Sequence, residues 1–218
     1  MSSAALGIFG GTFDPIHVGH LRGAIDCRDL LGLEQVHFLP AALPPLKATP
    51  GVSAEHRAAM VEIAIADLPG FSVDRREIDR PGMSYSIDTV REIRREAGAS
   101  KPLVFIMGLD SLRTLHRWRD WQDLLAEVNI AVLKRPGYTA SLDPEVSRWL
   151  EAHSVPATQL LQHPKGNVAI LEQPGLEVSS TAVRAAMGRG RTPRFLLPEP
   201  VLEYIALHGL YRSPSSSP

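Results

Sequence analysis

The sequence has one cysteine, no long apolar run and almost no net charge, and each of these shortages excludes a class of protein. Cys27 stands alone among 218 residues, so the chain can form no internal disulfide and has no cysteine-rich zinc motif. We expect it to be an ordinary buried residue. No apolar segment approaches the ~18 residues of a membrane-spanning helix. A formal net charge of −1 argues against a broad basic surface for nucleic acid.

The first residues also lack a basic segment followed by a long apolar core, so we expect no signal peptide and a cytoplasmic location. A chain of 218 residues is long enough for one domain with a sizeable core, and no internal repeat or linker divides it. We therefore expect a single domain over residues 1–212, followed by a polar and disordered tail over residues 213–218.

The most informative stretch of the sequence is GIFGGTFDPIHVGH, residues 7–20. The apolar run at residues 5–9 predicts a buried strand. Gly10 and Gly11 then allow the backbone to turn sharply and to approach a ligand closely. From residue 18 to residue 31, apolar positions follow one stripe of a helix. A strand, a glycine turn and a helix are typical of a phosphate site, because the helix start offers unpaired N–H groups and the positive end of the helix dipole.

Two histidines stand at the start of this helix. His17 and His20 are three residues apart, so in a helical turn both side chains face the same way and can donate hydrogen bonds to a charged transition state. Together with Asp14 they could instead hold a metal ion, but the pattern is not H-E-x-x-H and a fourth ligand is not evident. The neighbouring glycines suit a phosphate better, so we predict no metal site. We assign no role to the other histidines, which are His37, His56, His116, His153, His163 and His208.

The order of the predicted elements indicates the fold. Helical segments separate short apolar runs that predict further strands at residues 36–39, 71–74, 103–107, 130–133 and 168–171. This alternation is typical of an α/β protein with a Rossmann-like, doubly wound and mostly parallel sheet that has helices on both faces. Ligands bind such sheets beyond the carboxyl ends of the strands. A dinucleotide-binding dehydrogenase is disfavoured, because G-x-G-x-x-G is missing and Pro40 stands where a ribose-binding acid is expected.

Further helices are predicted in the middle and at the end of the chain. They cover residues 53–67, 85–97, 144–151, 182–187 and 199–207, and Ser53 is a candidate N-cap. Arg91, Arg94 and Arg95 interleave with glutamates on the second of these helices. We interpret them as a solvated helix face rather than as a nucleic-acid site.

Hydroxyl residues precede the helix predicted at residues 182–187. The default role of Ser179, Ser180 and Thr181 at this place is to cap the helix. Arg184 lies in the first turn, where a cation is unfavourable for the helix dipole. An anion bound alongside would explain its presence.

GGTFDPIHVGH, at residues 10–20, resembles the signature of nucleotidyltransferases with an H-x-G-H motif, and among them it is most similar to the bacterial nicotinate-mononucleotide adenylyltransferases. SSTAVR, at residues 179–184, resembles the I-S-S-T-x-I-R motif of that family. SYSIDT, at residues 84–89, resembles its P-S-Y-T-x-D-T motif, with Met83 in place of proline and Ser86 in place of threonine.

Three shorter segments add to the resemblance. PPLK, at residues 44–47, is similar to the family's P-P-H-K but has Leu46 in place of the histidine. GLD, at residues 108–110, resembles the family's G-x-D, and KRPG, at residues 134–137, resembles its R-P-G. In this order and spacing, the segments extend the resemblance from residue 7 to residue 212.

The resemblance implies an enzyme of NAD biosynthesis that transfers the adenylyl group of ATP to nicotinate mononucleotide, giving deamido-NAD and pyrophosphate. It implies that His17 and His20 are catalytic and that Mg²⁺ arrives with the nucleotide. The residues implied to bind ATP are Gly10, Gly11, Thr12, Phe13, Lys47, Gly108, Asp110, Arg135, Ser179, Ser180, Thr181 and Arg184. Those implied to bind nicotinate mononucleotide are Tyr85, Ser86, Thr89 and Trp118.

Two alternatives stay open. One is a related adenylyltransferase that acts on nicotinamide mononucleotide or on another phosphate acceptor, although the SYSIDT segment favours nicotinate. The other is a non-catalytic nucleotide-binding or regulatory module, which the intact histidine pair disfavours. We expect no nucleic-acid or membrane partner, and the sequence leaves the oligomeric state open.

Overall fold

Six strands form one sheet in the part of the chain that this computed structural model describes, residues 4–46, 50–134, 141–173, 176 and 178–211. The strands are β1 (Leu6–Gly11), β2 (Gln35–Pro40), β3 (Phe71–Val73), β4 (Leu103–Gly108), β5 (Asn129–Lys134) and β6 (Val168–Glu172). They lie in the order β3-β2-β1-β4-β5-β6, and every neighbouring pair is parallel. The predicted doubly wound, parallel architecture is confirmed.

Helices connect the strands. In the described ranges they are α1 (Val18–Leu31), α2 (Ala54–Ile65), α3 (Arg76–Asp79), α4 (Ser86–Ala97), α5 (Leu109–Arg113), α6 (Pro144–His153), α7 (Ser180–Gly188) and α8 (Glu199–Leu207). Short 3-10 segments occur at Leu115–Arg117, Trp121–Ala126 and Ala157–Gln162. None of the described helices combines the length and the apolar character that crossing a membrane requires.

Apolar side chains pack on both faces of the sheet. On β1, Phe9 belongs to the core layer that contains α1, α2 and α8, whereas Ile8 belongs to the layer that contains α4 and α5. The neighbouring strand β4 repeats the pattern, since Ile106 is in register with Phe9 and Phe105 with Ile8. Burial on both faces is typical of parallel strands, which read as continuous apolar runs. The prediction of helices on both faces is confirmed.

The strand order reverses between β1 and β4, and this reversal positions the site. The chain continues outward from β1 to β2 and β3 on one side, and from β4 to β5 and β6 on the other. The helices that follow, α1 and α5, pack on opposite faces of the sheet. A crevice therefore opens at the carboxyl ends of β1 and β4. Gly11 and Gly108 end these two strands.

The last helix of the described chain shares the core of the first strand. Val201 and Ile205 of α8 belong to the same apolar cluster as Phe9. We propose on this basis that residues 1–212 form one domain. The predictions for Lys47, Arg135 and the tail at residues 213–218 lie outside the described residues.

Arg94 corrects one prediction made from the sequence. It was expected on the solvated face of α4, but it is only 7% exposed. Its guanidinium donates to the backbone carbonyls of Gly98 at 2.9 Å, Lys101 at 2.7 Å, Glu127 at 2.8 Å and Pro164 at 3.1 Å. These carbonyls belong to the residue after α4 and to the loops that lead into β4, β5 and β6. A buried cation therefore satisfies acceptors that would otherwise be left without a partner.

We predict that Arg94→Ala lowers the free energy of unfolding by about 2–4 kcal/mol, because it leaves several buried carbonyls without a hydrogen-bond donor. Arg95→Ala is the matched control, since Arg95 is exposed on the same helix, and surface substitutions of this kind usually change stability by less than about 0.5 kcal/mol. Urea unfolding of both variants measures the difference. Equal losses of stability in the two variants would show that the buried guanidinium of Arg94 stabilises the fold no more than the exposed Arg95 does.

Candidate active site

A cavity of about 620 Å³ opens at the carboxyl ends of β1 and β4. Three local structures line it, namely the turn between β1 and α1, the start of α5 and the start of α7. Many of the residues predicted from the sequence meet there. They are Gly10, Gly11, Thr12, Phe13, His17, His20, Gly108, Asp110, Ser179, Ser180, Thr181 and Arg184.

The two histidines cap the start of α1 and bind each other. The backbone N–H of His20 donates to Nδ1 of His17, and the backbone N–H of His17 donates to Nδ1 of His20, both at 3.3 Å. The rings stack with their centroids 3.6 Å apart. Because each Nδ1 accepts a hydrogen bond, a neutral ring carries its proton on Nε2. Both rings line the cavity.

Tight packing holds the histidine rings in this arrangement. His17 is buried, and the edge of the Phe13 ring contacts His20 with centroids 5.1 Å apart. A Cβ atom added at Gly19 would lie only 3.2 Å from the His17 ring. Glycine between the two histidines thus keeps room for the stacked pair.

Asp110 stands against the backbone at the start of α5. A Cβ atom added at Gly108 would lie 2.5 Å from Oδ1 of Asp110, so a side chain there would displace the carboxylate from this position. Asp110 lies in the first turn of α5, where a negative charge is favourable for the helix dipole. The structure thus brings a carboxylate to the wall of the cavity beside β4.

The carbonyl oxygens of the turn between β1 and α1 are paired with donors from distant elements. Arg57 on α2 donates to the carbonyl of Thr12 at 2.6 Å. On α7, the hydroxyl of Ser180 donates to the carbonyl of Pro15 at 3.0 Å, and Arg184 donates to the carbonyl of Asp14. Carbonyl oxygens repel a phosphate, so engaging them with cations and a hydroxyl leaves a turn that suits an anion.

Arg57 is a site residue that the sequence reasoning missed. Its side chain is 1% exposed and also donates to the carbonyls of Ala42 at 3.1 Å and Val52 at 3.3 Å. Burial lowers the pKa of Arg57, and the nearby carboxylate of Asp14 acts in the opposite direction. A signal existed, because Arg57 precedes the apolar Met60 by three residues and so lies on the same face of the helix.

A hydroxyl residue caps the start of α7, as the sequence predicts. Ser179 is the N-cap, and its Oγ accepts the N–H of Ala182 at 3.1 Å. The sequence predicts Arg184 in the first turn with a bound anion alongside, but it is the fifth residue of α7. The anion beside it is a carboxylate of the protein, because Oδ2 of Asp14 lies 3.5 Å from its Nη1. Part of its charge is therefore balanced within the protein. The side chain is still 38% exposed and lines the cavity.

The residues predicted to bind the mononucleotide do not line this cavity. Thr89 is completely buried. Its hydroxyl donates to Oε1 of Glu77 at 2.7 Å and accepts from Arg80 at 3.0 Å. Burial raises the pKa of Glu77, and the hydrogen bond from Thr89 lowers it. Because its hydroxyl is paired inside the protein, Thr89 has a structural role, and its contact with the mononucleotide stays a prediction.

Tyr85, Ser86 and Trp118 lie on the α4 side of the sheet. Tyr85 is the N-cap residue of α4 and Ser86 is its first residue. The edge of the Trp118 ring packs against Phe105, with centroids 6.2 Å apart. A Cβ atom added at Gly10 would lie 2.9 Å from that same Phe105 ring. Phe105 thus connects this group to the end of β1 and to the cavity.

Comparisons of the sequence agree with this geometry. A model of the cytidylyltransferase-like family matches residues 8–186. A probable nicotinate-nucleotide adenylyltransferase from Serratia proteamaculans (strain 568) is 47% identical over 207 residues, which cover 94% of each chain. A protein of the same description from Aeromonas hydrophila subsp. hydrophila is 45% identical and covers 97% of this chain and 99% of its own.

Solved structures agree in fold. Nicotinic acid mononucleotide adenylyltransferase of Plasmodium falciparum, complexed with NaAD, matches with a TM-score of 0.71 at 16% identity, covering 95% of this chain and 97% of the other. A putative nicotinate-nucleotide adenylyltransferase from Vibrio parahaemolyticus matches with a TM-score of 0.64 at 15% identity, covering 95% of each chain. Because sequence identities near 45% extend over almost the whole length of the curated relatives, the chain belongs to the cytidylyltransferase-like family and, within it, to the nicotinate-nucleotide adenylyltransferases.

Proposed function

We propose that the protein transfers the adenylyl group of ATP to nicotinate mononucleotide, giving deamido-NAD and pyrophosphate in NAD biosynthesis. The observation that carries the proposal is the stacked pair of His17 and His20 on the wall of a cavity that the start of α7 also lines. The descriptions of the curated relatives, and the NaAD in the Plasmodium falciparum structure, support the same reaction.

In the proposed reaction, an oxygen of the mononucleotide 5′-phosphate attacks the α-phosphorus of ATP in line. The bond from that phosphorus to the bridging oxygen breaks, and pyrophosphate leaves with the electron pair. No covalent enzyme intermediate is needed, so catalysis depends on positioning and on stabilising charge. The Nε2–H groups of His17 and His20 would donate to the α-phosphate oxygens as their negative charge grows.

The start of α7 is the proposed place of the β- and γ-phosphates. A helix N-terminus offers backbone N–H groups and the positive end of its dipole. Thr181, the second residue of α7, is exposed, and Arg184, one turn further along the helix, lines the cavity with it. Lys47 is proposed as a further cation for the triphosphate on the basis of its segment. The carboxylate of Asp110 is proposed to meet the ATP ribose.

The donor set fits Mg²⁺ that is carried by the nucleotide. The described residues include no group of three His, Cys, Asp or Glu side chains that could hold a metal ion. Asp14 is engaged by Tyr211 and Arg184. Mg²⁺ is readily held by phosphate oxygens and water, and there it would neutralise charge on the triphosphate. The role of the protein in this proposal is to hold the phosphates.

The start of α4 is the proposed recognition site for the nicotinate ring. Backbone N–H groups at Tyr85 and Ser86 suit a carboxylate, because they form a helix start. The half-buried indole of Trp118 can stack on the pyridinium ring. Nicotinamide lacks the carboxylate charge, so this arrangement favours the acid over the amide.

The proposed reaction is tested by measuring pyrophosphate release from ATP and Mg²⁺ with nicotinate and nicotinamide mononucleotides side by side. We expect kcat/KM to be about a hundredfold higher for the nicotinate form, because hydrogen bonds to a charged acceptor are stronger than hydrogen bonds to a neutral one. Equal use of both acceptors would keep adenylyl transfer and remove the proposed role of Tyr85 and Ser86. An absence of release with both would contradict the proposed function.

We predict that His20→Ala lowers kcat by about two to three orders of magnitude, the usual effect of removing one donor to a transition state. His116→Ala is the matched control, because His116 is exposed and does not line the cavity. Steady-state release of pyrophosphate measures both variants. A His20→Ala enzyme with unchanged turnover would remove His20 from the mechanism.

We predict that Trp118→Ala raises KM for the mononucleotide about tenfold through loss of ring stacking, and leaves KM for ATP nearly unchanged. Trp149→Ala is the control, because Trp149 is half-buried in the same apolar cluster but packs on Trp121, with ring centroids 5.4 Å apart. Saturation curves for each substrate separate the two effects. If only ATP binding weakened, the assignment of Trp118 to the acceptor would be wrong.

A further inference from the structure

One buried carboxylate joins three parts of the chain at the cavity wall. Asp14 belongs to the turn between β1 and α1 and is 7% exposed. Its Oδ1 accepts a hydrogen bond of 2.7 Å from the hydroxyl of Tyr211. Its Oδ2 lies 3.5 Å from Nη1 of Arg184, which also donates to the Asp14 carbonyl. The turn, α7 and the segment after α8 therefore meet at Asp14.

The backbone after α8 is bent so that Tyr211 reaches this carboxylate. Gly209 has φ of 62°, and Tyr211 has φ of 60°, in the left-handed region that bulky residues rarely adopt. Leu210 and Tyr211 pack against the core cluster that contains Phe9. Such an outlier directed at a site is a reason to look for a role beyond packing.

The Tyr211 hydroxyl is the donor in its contact with Asp14. Burial, followed by the hydrogen bond to Asp14, raises the pKa of Tyr211 above its ordinary value of 10.0. The hydroxyl therefore keeps its proton at neutral pH. It occupies Oδ1 of Asp14 and limits the carboxylate to a one-point contact with the guanidinium of Arg184.

The one-point contact matters because it leaves other N–H groups of the Arg184 guanidinium available. Both of its contacts with Asp14 use Nη1, and its Nε and Nη2 make no hydrogen bond with another described residue. If Oδ1 were released, Asp14 could turn both oxygens to the guanidinium and form the bidentate pair that arginine and carboxylate favour. That pair would compete with a phosphate for the same N–H groups.

We propose that Tyr211 is a positioning residue that holds Asp14 so that Arg184 is presented to the β- and γ-phosphates of ATP. Tyr211 touches neither substrate in this arrangement. The inference rests on the proposed function only in so far as the cavity binds ATP, and it adds a residue outside the motifs that carry that function.

The first test compares Tyr211→Phe with Tyr204→Phe. The Tyr204 hydroxyl lies on α8 and makes an analogous contact, 2.9 Å from Nδ1 of His56, away from the cavity. Dissociation constants for ATP and AMP are measured by calorimetry, at a temperature where circular dichroism shows every variant folded. We expect Tyr211→Phe to weaken ATP binding about five- to tenfold and AMP binding less than about twofold, since AMP lacks the β- and γ-phosphates. Tyr204→Phe should change neither constant.

The second test repeats Tyr211→Phe in an Arg184→Gln background. If Tyr211 acts through Arg184, the two substitutions are not additive, and the added loss of ATP affinity should disappear. Equal weakening of ATP and AMP, or a full effect in the Arg184→Gln background, would overturn the inference.

Direct binding keeps this inference separate from the proposed reaction. A wild-type protein that binds ATP but releases no pyrophosphate would contradict the proposed function, and the comparison of ATP with AMP would still decide the role of Tyr211. A wild-type protein that does not bind ATP would contradict both.

Discussion

The structure depends on how the open turn between β1 and α1 satisfies its own backbone. A turn that faces a cavity cannot pair its carbonyl oxygens within a helix or a sheet, and a buried carbonyl without a donor is costly. Arg57, Ser180 and Arg184 supply the missing donors from α2 and α7. These helices are therefore part of the site as well as part of the core, and the turn keeps its shape only while both are docked.

The histidine pair likewise serves both the fold and the site. A helix start leaves backbone N–H groups without partners, and serine or aspartate commonly caps them. Here the ring of each histidine accepts the backbone N–H of the other, so capping the helix also fixes the position of each ring. Gly19 is explained by this arrangement, because a side chain there would crowd the ring of His17.

Much of the architecture could be predicted from the sequence, because long helices and buried strands carry periodic patterns. The predicted bounds of α1 and α8 agree with the structure, and each predicted strand is present with its ends shifted by no more than two residues. The short helices α3 and α5 were missed, since segments of 4 and 5 residues hold too little periodicity to be recognised. Among the candidate site residues, the glycine turn, the histidines and the start of α7 meet in one cavity as their motifs suggested.

What sequence reasoning missed are buried polar groups whose partners lie far away along the chain. Arg94 pairs with carbonyls as far as 70 residues away, and Thr89 with a glutamate on another helix, so a local pattern cannot reveal them. Position 94 is nevertheless four residues after Val90 on the buried stripe of α4. A charged residue at an apolar position of a helix is the signal to follow in such cases.

The distances along the chain between the turn and its partners have a consequence for folding. Ser180, Arg184 and Tyr211 follow their partners in the turn by 165, 170 and 197 residues, whereas all six strands of the sheet end by Glu172. Contacts of such long range form late, because the entropy of closing a large loop must be overcome first. The sheet can therefore assemble before the turn acquires its final shape, and a folding intermediate with a complete sheet would still lack a competent phosphate site.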